Sequence, residues 1–291
     1  MFVGNIVASR AHYDQAIALY DPTKDHERTK WGVFQWVGSM SLRALPLWLL
    51  GYPVAAQSDA AQALSIARNV RNAVAVGVAL LCTTRTHLFC GQVSTARAEA
   101  DEFVVLADET GEPYFKALGL MIQGLVYASG ADSPDAVGRL ESALRAYRSM
   151  EATLFTPNVL SHLAEAHARL GQFDDAWRCI DDAITTIETS KERWCEADVL
   201  RVAGEIALES PERDAAKAEA YFDRALEVAR TQQAKSWELR AATSKARLLR
   251  DQCRHTEAQD LLAPVYSRFT EGFDTLDLKE AKTLLDELAS K

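Results

Sequence analysis

The sequence predicts an all-α fold: a right-handed α-solenoid of helical hairpins with a period of about 40 residues, roughly six and a half repeats and a C-terminal capping helix. Three observations predict it. First, Ala56, Ala96, Ala136 and Ala176 are 40 residues apart, Ala218 follows after 42 and Ala258 after another 40. Seven residues after each stands Ala63, Phe103, Ala143, Ala183, Ala225 or Val265, two helical turns on along the same face. Second, glycine turns precede four of these alanines: Gly51, Gly91 and Gly171 by five residues, and Gly130 by six. Third, Ala, Leu, Glu and Arg dominate the chain, Pro numbers 8 in 291 residues, and alternating apolar runs long enough for strands are absent.

The elements follow in order. VASRAHYDQAIALYDP, within a half-repeat of residues 1–22, reads as the second helix of a pair. Tyr13 and Ala16 stand there where Phe222 and Ala225 stand later. Its partner helix would precede Met1, leaving Phe2, Val3, Ile6 and Val7 showing, so this end is expected to be part of a longer array or to dock onto something. Six helix pairs fill residues 31–270, at about 33–69, 73–109, 114–149, 157–189, 194–230 and 236–269. Pro46 falls inside a helix and predicts a kink. Ser133-Pro134 and Ser210-Pro211 read as caps followed by helix starts.

The clearest pair is 156–189. Thr156 can cap, with Pro157 at the first helical position. Leu160, Leu163, Ala164 and His167 share a face, and Gly171 ends the helix in a left-handed residue. Phe173, Ala176, Trp177, Ile180, Ala183 and Ile184 form the apolar face of the second helix. The recurring alanine is small because two antiparallel helices joined by so short a turn must approach closely. A last helix, about 276–289 within a capping region of 276–290, turns Leu278, Leu284, Leu285 and Leu288 inward and leaves Asp277, Lys279, Glu280 and Asp286 in water.

Composition narrows the function. A net charge of −9 argues against a nucleic-acid partner. The basic stretch Lys235, Arg240, Lys245, Arg247, Arg250 and Arg254 reads as a solvated helix face. Cys82, Cys90, Cys179, Cys195 and Cys253 are odd in number, scattered and without a CxxC, which points to reduced thiols in a cytoplasmic protein. The most apolar run, Val74 to Cys82, is about half of the ~20 residues a bilayer needs, so no membrane partner is expected. Met1 to Arg10 lacks the pattern of a signal peptide.

Motifs for chemistry are missing. GxxxxGK[ST], GxGxxG, GxSxG and HExxH do not occur, so neither catalytic residues nor a cofactor is expected. His162, Glu165 and His167 have a zincin-like look, but histidines five apart diverge around a helix. Cys82, His87 and Cys90 share a rough face with no fourth zinc ligand in view. Asp174 and Asp175 complement a helix N-terminus.

Gly-x-Phe-x-x-Ala at Gly171–Ala176 with Ala183 seven on resembles the tetratricopeptide repeat, as does Ala218-x-x-x-Phe222-x-x-Ala225. The pattern departs from it where Tyr-Pro follows Gly51 and where Cys253 replaces the usual Gly. The period exceeds that repeat's roughly 34 residues, implying longer helices. Over about residues 155–290, ERWCEADVLRVAGEIAL, AEAYFDRALEVARTQQAKSWELRAATSKARLLRDQ and the segment from Glu257 look like the end of a large bacterial group. In that group an adenylate cyclase or DNA-binding domain is joined to a signalling ATPase and a C-terminal tetratricopeptide array. The resemblance implies a sensory or scaffolding role, with upstream ATPase or cyclase domains as partners, and carries over no catalytic residue.

Such arrays bind on the concave surface lined by the first helix of each pair. Counting back from the turns gives Ser41, Leu45 and Trp48, then Leu81, Arg85 and Leu88, then Leu120 and Tyr127. Asn158, Ser161, Glu165 and Arg169 follow, then Arg240, Thr243, Arg247 and Arg250. The groove should grade from apolar to basic, suiting a protein or peptide with an acidic C-terminal portion and with Trp48 as its anchor. The alternatives are that the apolar members pack between helices, and that the chain is a small-molecule-sensing module of a transcriptional activator.

Overall fold

A computed structural model describes residues 1–19, 30–70, 72–130 and 134–290. Among the described residues there are fourteen helices and no strand. A single helix, α1 (Ile6–Ala18), precedes the pairs α2 (Lys30–Leu49)/α3 (Pro53–Val70), α4 (Ala73–Phe89)/α5 (Val93–Thr110) and α6 (Pro113–Gly130)/α7 (Pro134–Arg148). Then come α8 (Thr156–Arg169)/α9 (Phe173–Ser190), α10 (Glu196–Glu209)/α11 (Ala215–Thr231), α12 (Lys235–Asp251)/α13 (His255–Tyr266) and a last helix α14 (Leu276–Ala289). No helix among the described residues is long and apolar enough to cross a membrane.

The periodic residues hold the hairpins together. All six alanines, and all six residues seven positions on, are buried. Gly51, Gly91 and Gly171 close their turns in the left-handed region at φ 87°, 79° and 73°. Cys253 adopts φ 63° in the equivalent turn without being a glycine. Gly130 ends α6, and the rest of its turn lies outside the described residues. Close approach also selects glycine inside a helix: a Cβ on Gly204 would stand 2.4 Å from the Phe222 ring.

Within the array the first helices pack on one another in chain order, from α2 on α4 through to α12 on α14, while α1 packs on α2. The array also closes on itself, because α12 touches α2. At this seam Ser236 Oγ donates to the Trp48 carbonyl at 2.5 Å, and Arg240 Nη2 donates to the Phe89 carbonyl at 3.1 Å. Glu271 Oε1 accepts from the backbone N–H groups of Val54 and Ala55 at 2.9 and 3.0 Å, a carboxylate capping the N-terminus of α3 from across the ring.

Several local expectations are corrected. Thr156 Oγ1 makes no cap bond; Phe155, at φ 68°, is the N-cap, and Glu192 binds its N–H instead. Ser210 ends α10 rather than starting a helix, and Asp214 caps α11 by accepting from the Lys217 N–H at 2.9 Å. Pro46 does lie inside a helix, α2, as expected. Ser133 lies outside the described residues. Ala16 is exposed, because α1 meets α2 through a narrow stripe centred on Ile6, Ser9 and Tyr13. Asp277 is not in open water but paired to Arg240 at 2.8 Å.

The packing argument predicts that Ala176→Leu, at a fully buried crossing, lowers the unfolding free energy by about 1–3 kcal/mol in urea titration. Ala16→Leu on the exposed side of α1 should change it by no more than about 0.5 kcal/mol.

Candidate functional site

Inside the closed ring, aromatic side chains from four hairpins meet. Trp48 stacks on Phe89 with centroids 4.6 Å apart and meets Trp237 edge-on at 4.7 Å. Trp194 lies 6.3 Å from both Phe89 and Trp237, and Phe155 extends the cluster from Trp194 at 6.3 Å. Each such pair contributes about 0.5–1.5 kcal/mol beyond its buried area. The indoles are also tied by hydrogen bonds: Trp237 Nε1 donates to the Trp194 carbonyl at 2.9 Å and Trp194 Nε1 to Glu192 Oε1 at 2.7 Å. Trp48 is therefore a core residue of the chain's own hub, not an exposed anchor for a partner.

On one side of this hub lies a pocket of about 420 Å³. Leu88, Phe89, Val93 and Leu276 form its apolar wall, and α8, α10, α12 and α14 supply the polar one. Arg240 bridges the two. Its guanidinium lies 5.1 Å from the centroids of both Trp48 and Trp237 while Nε holds Asp277 at 2.8 Å. Arg201 holds Glu165 and Asp198 at 2.8 Å each, and Arg247 holds Glu280 at 2.6 Å. Arg169 Nη2 donates to the Ala128 carbonyl at 2.5 Å. His162 Nδ1 sits 3.4 Å from Ser129 Oγ. Burial pushes His162 down, so its ring is neutral near pH 7. For Asp198, burial pushes the carboxyl up, but Arg201, Arg240 and His162 outweigh it and hold the carboxyl below the usual range.

Of the residues counted inward from sequence, Leu88, Glu165, Arg169, Arg240 and Arg247 line this pocket together, joined by Thr243. Leu81, Arg85 and Asn158 are buried, which removes them from any concave surface open to a partner. Arg85 is a cation clasped inside the fold: Nη2 donates to Asn158 Oδ1 at 3.0 Å, the guanidinium sits 3.6 Å from the Phe155 ring centroid, and burial pushes its pKa down to about 10. Tyr127 does not line the pocket: it borders a groove between α6 and α7, and its hydroxyl donates to Asp101 on α5 at 3.3 Å. Arg250 stands apart on α12, paired to Glu287 at 2.9 Å.

The basic stretch of α12 is likewise not a free solvated face. Arg240, Lys245, Arg247 and Arg250 each pair with an acid on the neighbouring α11 or α14. His162 and His167 diverge, the latter to Gln172 at 2.7 Å and Glu141 at 3.3 Å. His87 pairs with Glu99 at 2.8 Å, while burial pushes the Cys82 and Cys90 thiols up to about 12.

Counting from turns missed Arg201, because α10 and α11 are joined by the longer connection 210–214, which lacks the short turn found at 252–254. It also missed Phe89 and Asp277, whose role exists only once the ring has closed. The available signal for Arg201 was the spacing of 36 residues from Glu165, close to one repeat.

No protein-family model and no curated protein matches the sequence. Among solved structures, the apo form of RapI superposes on 97% of this chain and 93% of its own length, with a TM-score of 0.63 at 13% identity. A Rap protein complexed with Competence and Sporulation Factor covers 98% of this chain and 85% of its own, with a TM-score of 0.59 at 15% identity. Yeast Tom70 covers 97% of this chain over 59% of its own length, with a TM-score of 0.55 at 14% identity. At such identities the likeness is one of fold, that of the tetratricopeptide-like helical-repeat proteins.

Replacing Arg201 by Leu leaves Asp198, Glu165 and Glu205 without their shared cation, an expected loss of about 3–5 kcal/mol. In the parent chain the contribution of Asp198 is complete above its unfolded pKa of about 3.9 and disappears as pH falls through the depressed folded value. In the variant burial dominates, so the stability deficit should shrink as pH is lowered from 7 toward about 4. Urea titrations across that window measure both.

Proposed function

We propose that the chain is a regulatory module that binds a protein or peptide segment in its central pocket and has no catalytic function of its own. The observation that carries this reading is the composition of the pocket wall. Guanidinium and carboxylate groups alternate on one side and Leu88, Phe89, Val93 and Leu276 face them. A short peptide offers both kinds of complement at once, with backbone and charged groups for the polar wall and an apolar side chain for the other. The Rap structure of similar fold was solved complexed with Competence and Sporulation Factor, which supports a binding role for this architecture.

The mechanism follows from where the pocket lies. Arg240 and Asp277 belong to the α12–α14 seam, so a ligand carboxylate that takes Arg240 from Asp277 loosens the last helix and shifts the ring toward an open form. Together with the resemblance over about residues 155–290, this supports a role as the regulatory end of a signalling ATPase linked to an adenylate cyclase or a transcriptional regulator. A second reading, a small-molecule-sensing module of a transcriptional activator, is favoured by the pocket volume of about 420 Å³, within the usual range for small ligands.

Isothermal titration with hexapeptide pools sorted by charge should give saturable binding for pools with an acidic C-terminal half. Arg247→Ala, which alters the wall outside the aromatic hub, should weaken binding by about tenfold, or roughly 1.4 kcal/mol. Failure of every peptide pool, together with a thermal shift produced by a metabolite, would replace the first reading with the second.

A further inference from the structure

Two kinds of contact hold the ring shut. One is helix on helix, α12 against α2. The other is a strap, the non-helical residues 267–275 between α13 and α14. The strap lies along the turns of the first two hairpins. A Cβ on Gly51 would stand 3.1 Å from the Phe269 ring, and one on Gly272 would stand 2.2 Å from Pro53 Cγ. Where the strap enters α14, Leu276 covers Gly91, at which a Cβ would come within 2.7 Å of the Leu276 Cβ. The turn at Gly171 carries no such cover, since a Cβ there would meet nothing within 4 Å. Glu271 supplies the polar contact by accepting from the Val54 and Ala55 N–H groups.

The strap can come away as a unit. Its last turn satisfies itself, because the Gly272 carbonyl accepts from the N–H and the Oγ1–H of Thr275, at 2.9 and 2.7 Å. Across the seam it offers the Phe269 ring, the Gly272–Pro53 contact and a single carboxylate. Ser267, Arg268, Thr270, Phe273 and Asp274 are exposed. Few buried contacts and a solvated backbone mark a segment that opens locally. Helix α14 has its own anchorage: Leu278, Ala281, Leu284 and Leu288 are buried in one cluster with residues of α12 and α13. Leu276 and Asp277, just after the strap, line the central pocket.

We propose that residues 267–275 are a releasable strap, and that its detachment from the turns at Gly51–Val54 and Gly91 opens the seam beside the central pocket while α14 stays packed on α12 and α13. The strap then sets how wide the pocket stands open. This inference rests on the closed ring and not on what the pocket binds.

Two native cysteines report on it. Cys90 is buried at the end of α4 beside Gly91, and the charges of Asp274 and Asp277 reach it across the seam. Cys195, buried beside Trp194, faces Glu192, Asp198 and Arg85 instead. The full chain is treated with N-ethylmaleimide under native conditions, and each cysteine is followed by peptide mass spectrometry. Cys90 should react at least about tenfold faster than Cys195, because local opening is more populated than global unfolding. Glu271→Ala, which removes the contact to α3, should raise the Cys90 rate about fivefold. Ala176→Leu, in a hairpin common to the closed and strap-released forms, should raise the Cys195 rate and leave the Cys90 rate within about twofold. Equal rates for the two cysteines in the unaltered chain, or equal acceleration of both by Ala176→Leu, would overturn the proposal. So would a Cys90 rate unmoved by Glu271→Ala.

Discussion

Four aromatic side chains, Trp48, Phe89, Trp194 and Trp237, come from four different hairpins and meet at one point inside the ring. In an open solenoid each repeat touches only its neighbours, and the inner surface remains available to others. Here the first and sixth pairs touch, and the inner apolar stripe of the early repeats is covered by the basic helix of the last complete one. A groove that would grade from apolar at one end to basic at the other is folded so that its two ends face each other. Arg240 shows the result in a single residue, resting against two indoles and bonded to both the Phe89 carbonyl and Asp277.

That closure decides what is left for function. Beside the hub lie a polar pocket and, around Met1, a small cavity. Phe89 lines both the polar pocket and the small cavity beside Met1, so the two compartments share a wall. Every arginine of the pocket is already engaged with a carboxylate or a carbonyl. Recognition therefore works by exchange of partners rather than by filling an uncompensated positive field, and binding is coupled to the seam that those pairs hold shut.

The hairpins were legible in the sequence because their cause is local and repeated. A methyl-sized residue every 40 positions and a left-handed glycine five before it report on two helices that are neighbours in chain and space, and both kinds of position appear as expected in Ala176 and Gly171. The cap of α8 was not legible, since Thr156 and Phe155 compete for it and the winner depends on Glu192, 37 residues away. Trp48 was misread for the same reason at larger scale: its partner Trp237 is 189 residues distant, and no periodicity encodes a contact made once. Of the inward positions, Glu165 and Arg169 on α8 and Arg240, Thr243 and Arg247 on α12 line the pocket, while Asn158 and Ser161 are buried and Arg250 pairs with Glu287 away from it. Those on α2 and α4, with the exception of Leu88, were covered when it closed.

Closure can be measured directly. A Cβ placed on Gly272 lies 3.3 Å from the Cβ of Pro53, near the ~3.8 Å typical of disulfides, although 219 residues separate them. In a Cys253→Ser background, Pro53→Cys with Gly272→Cys should oxidise to an intramolecular disulfide in the folded chain, with unchanged helicity and no free thiol at either position. Two cysteines that stay fully alkylatable in a folded chain under the same oxidation would contradict the closed ring.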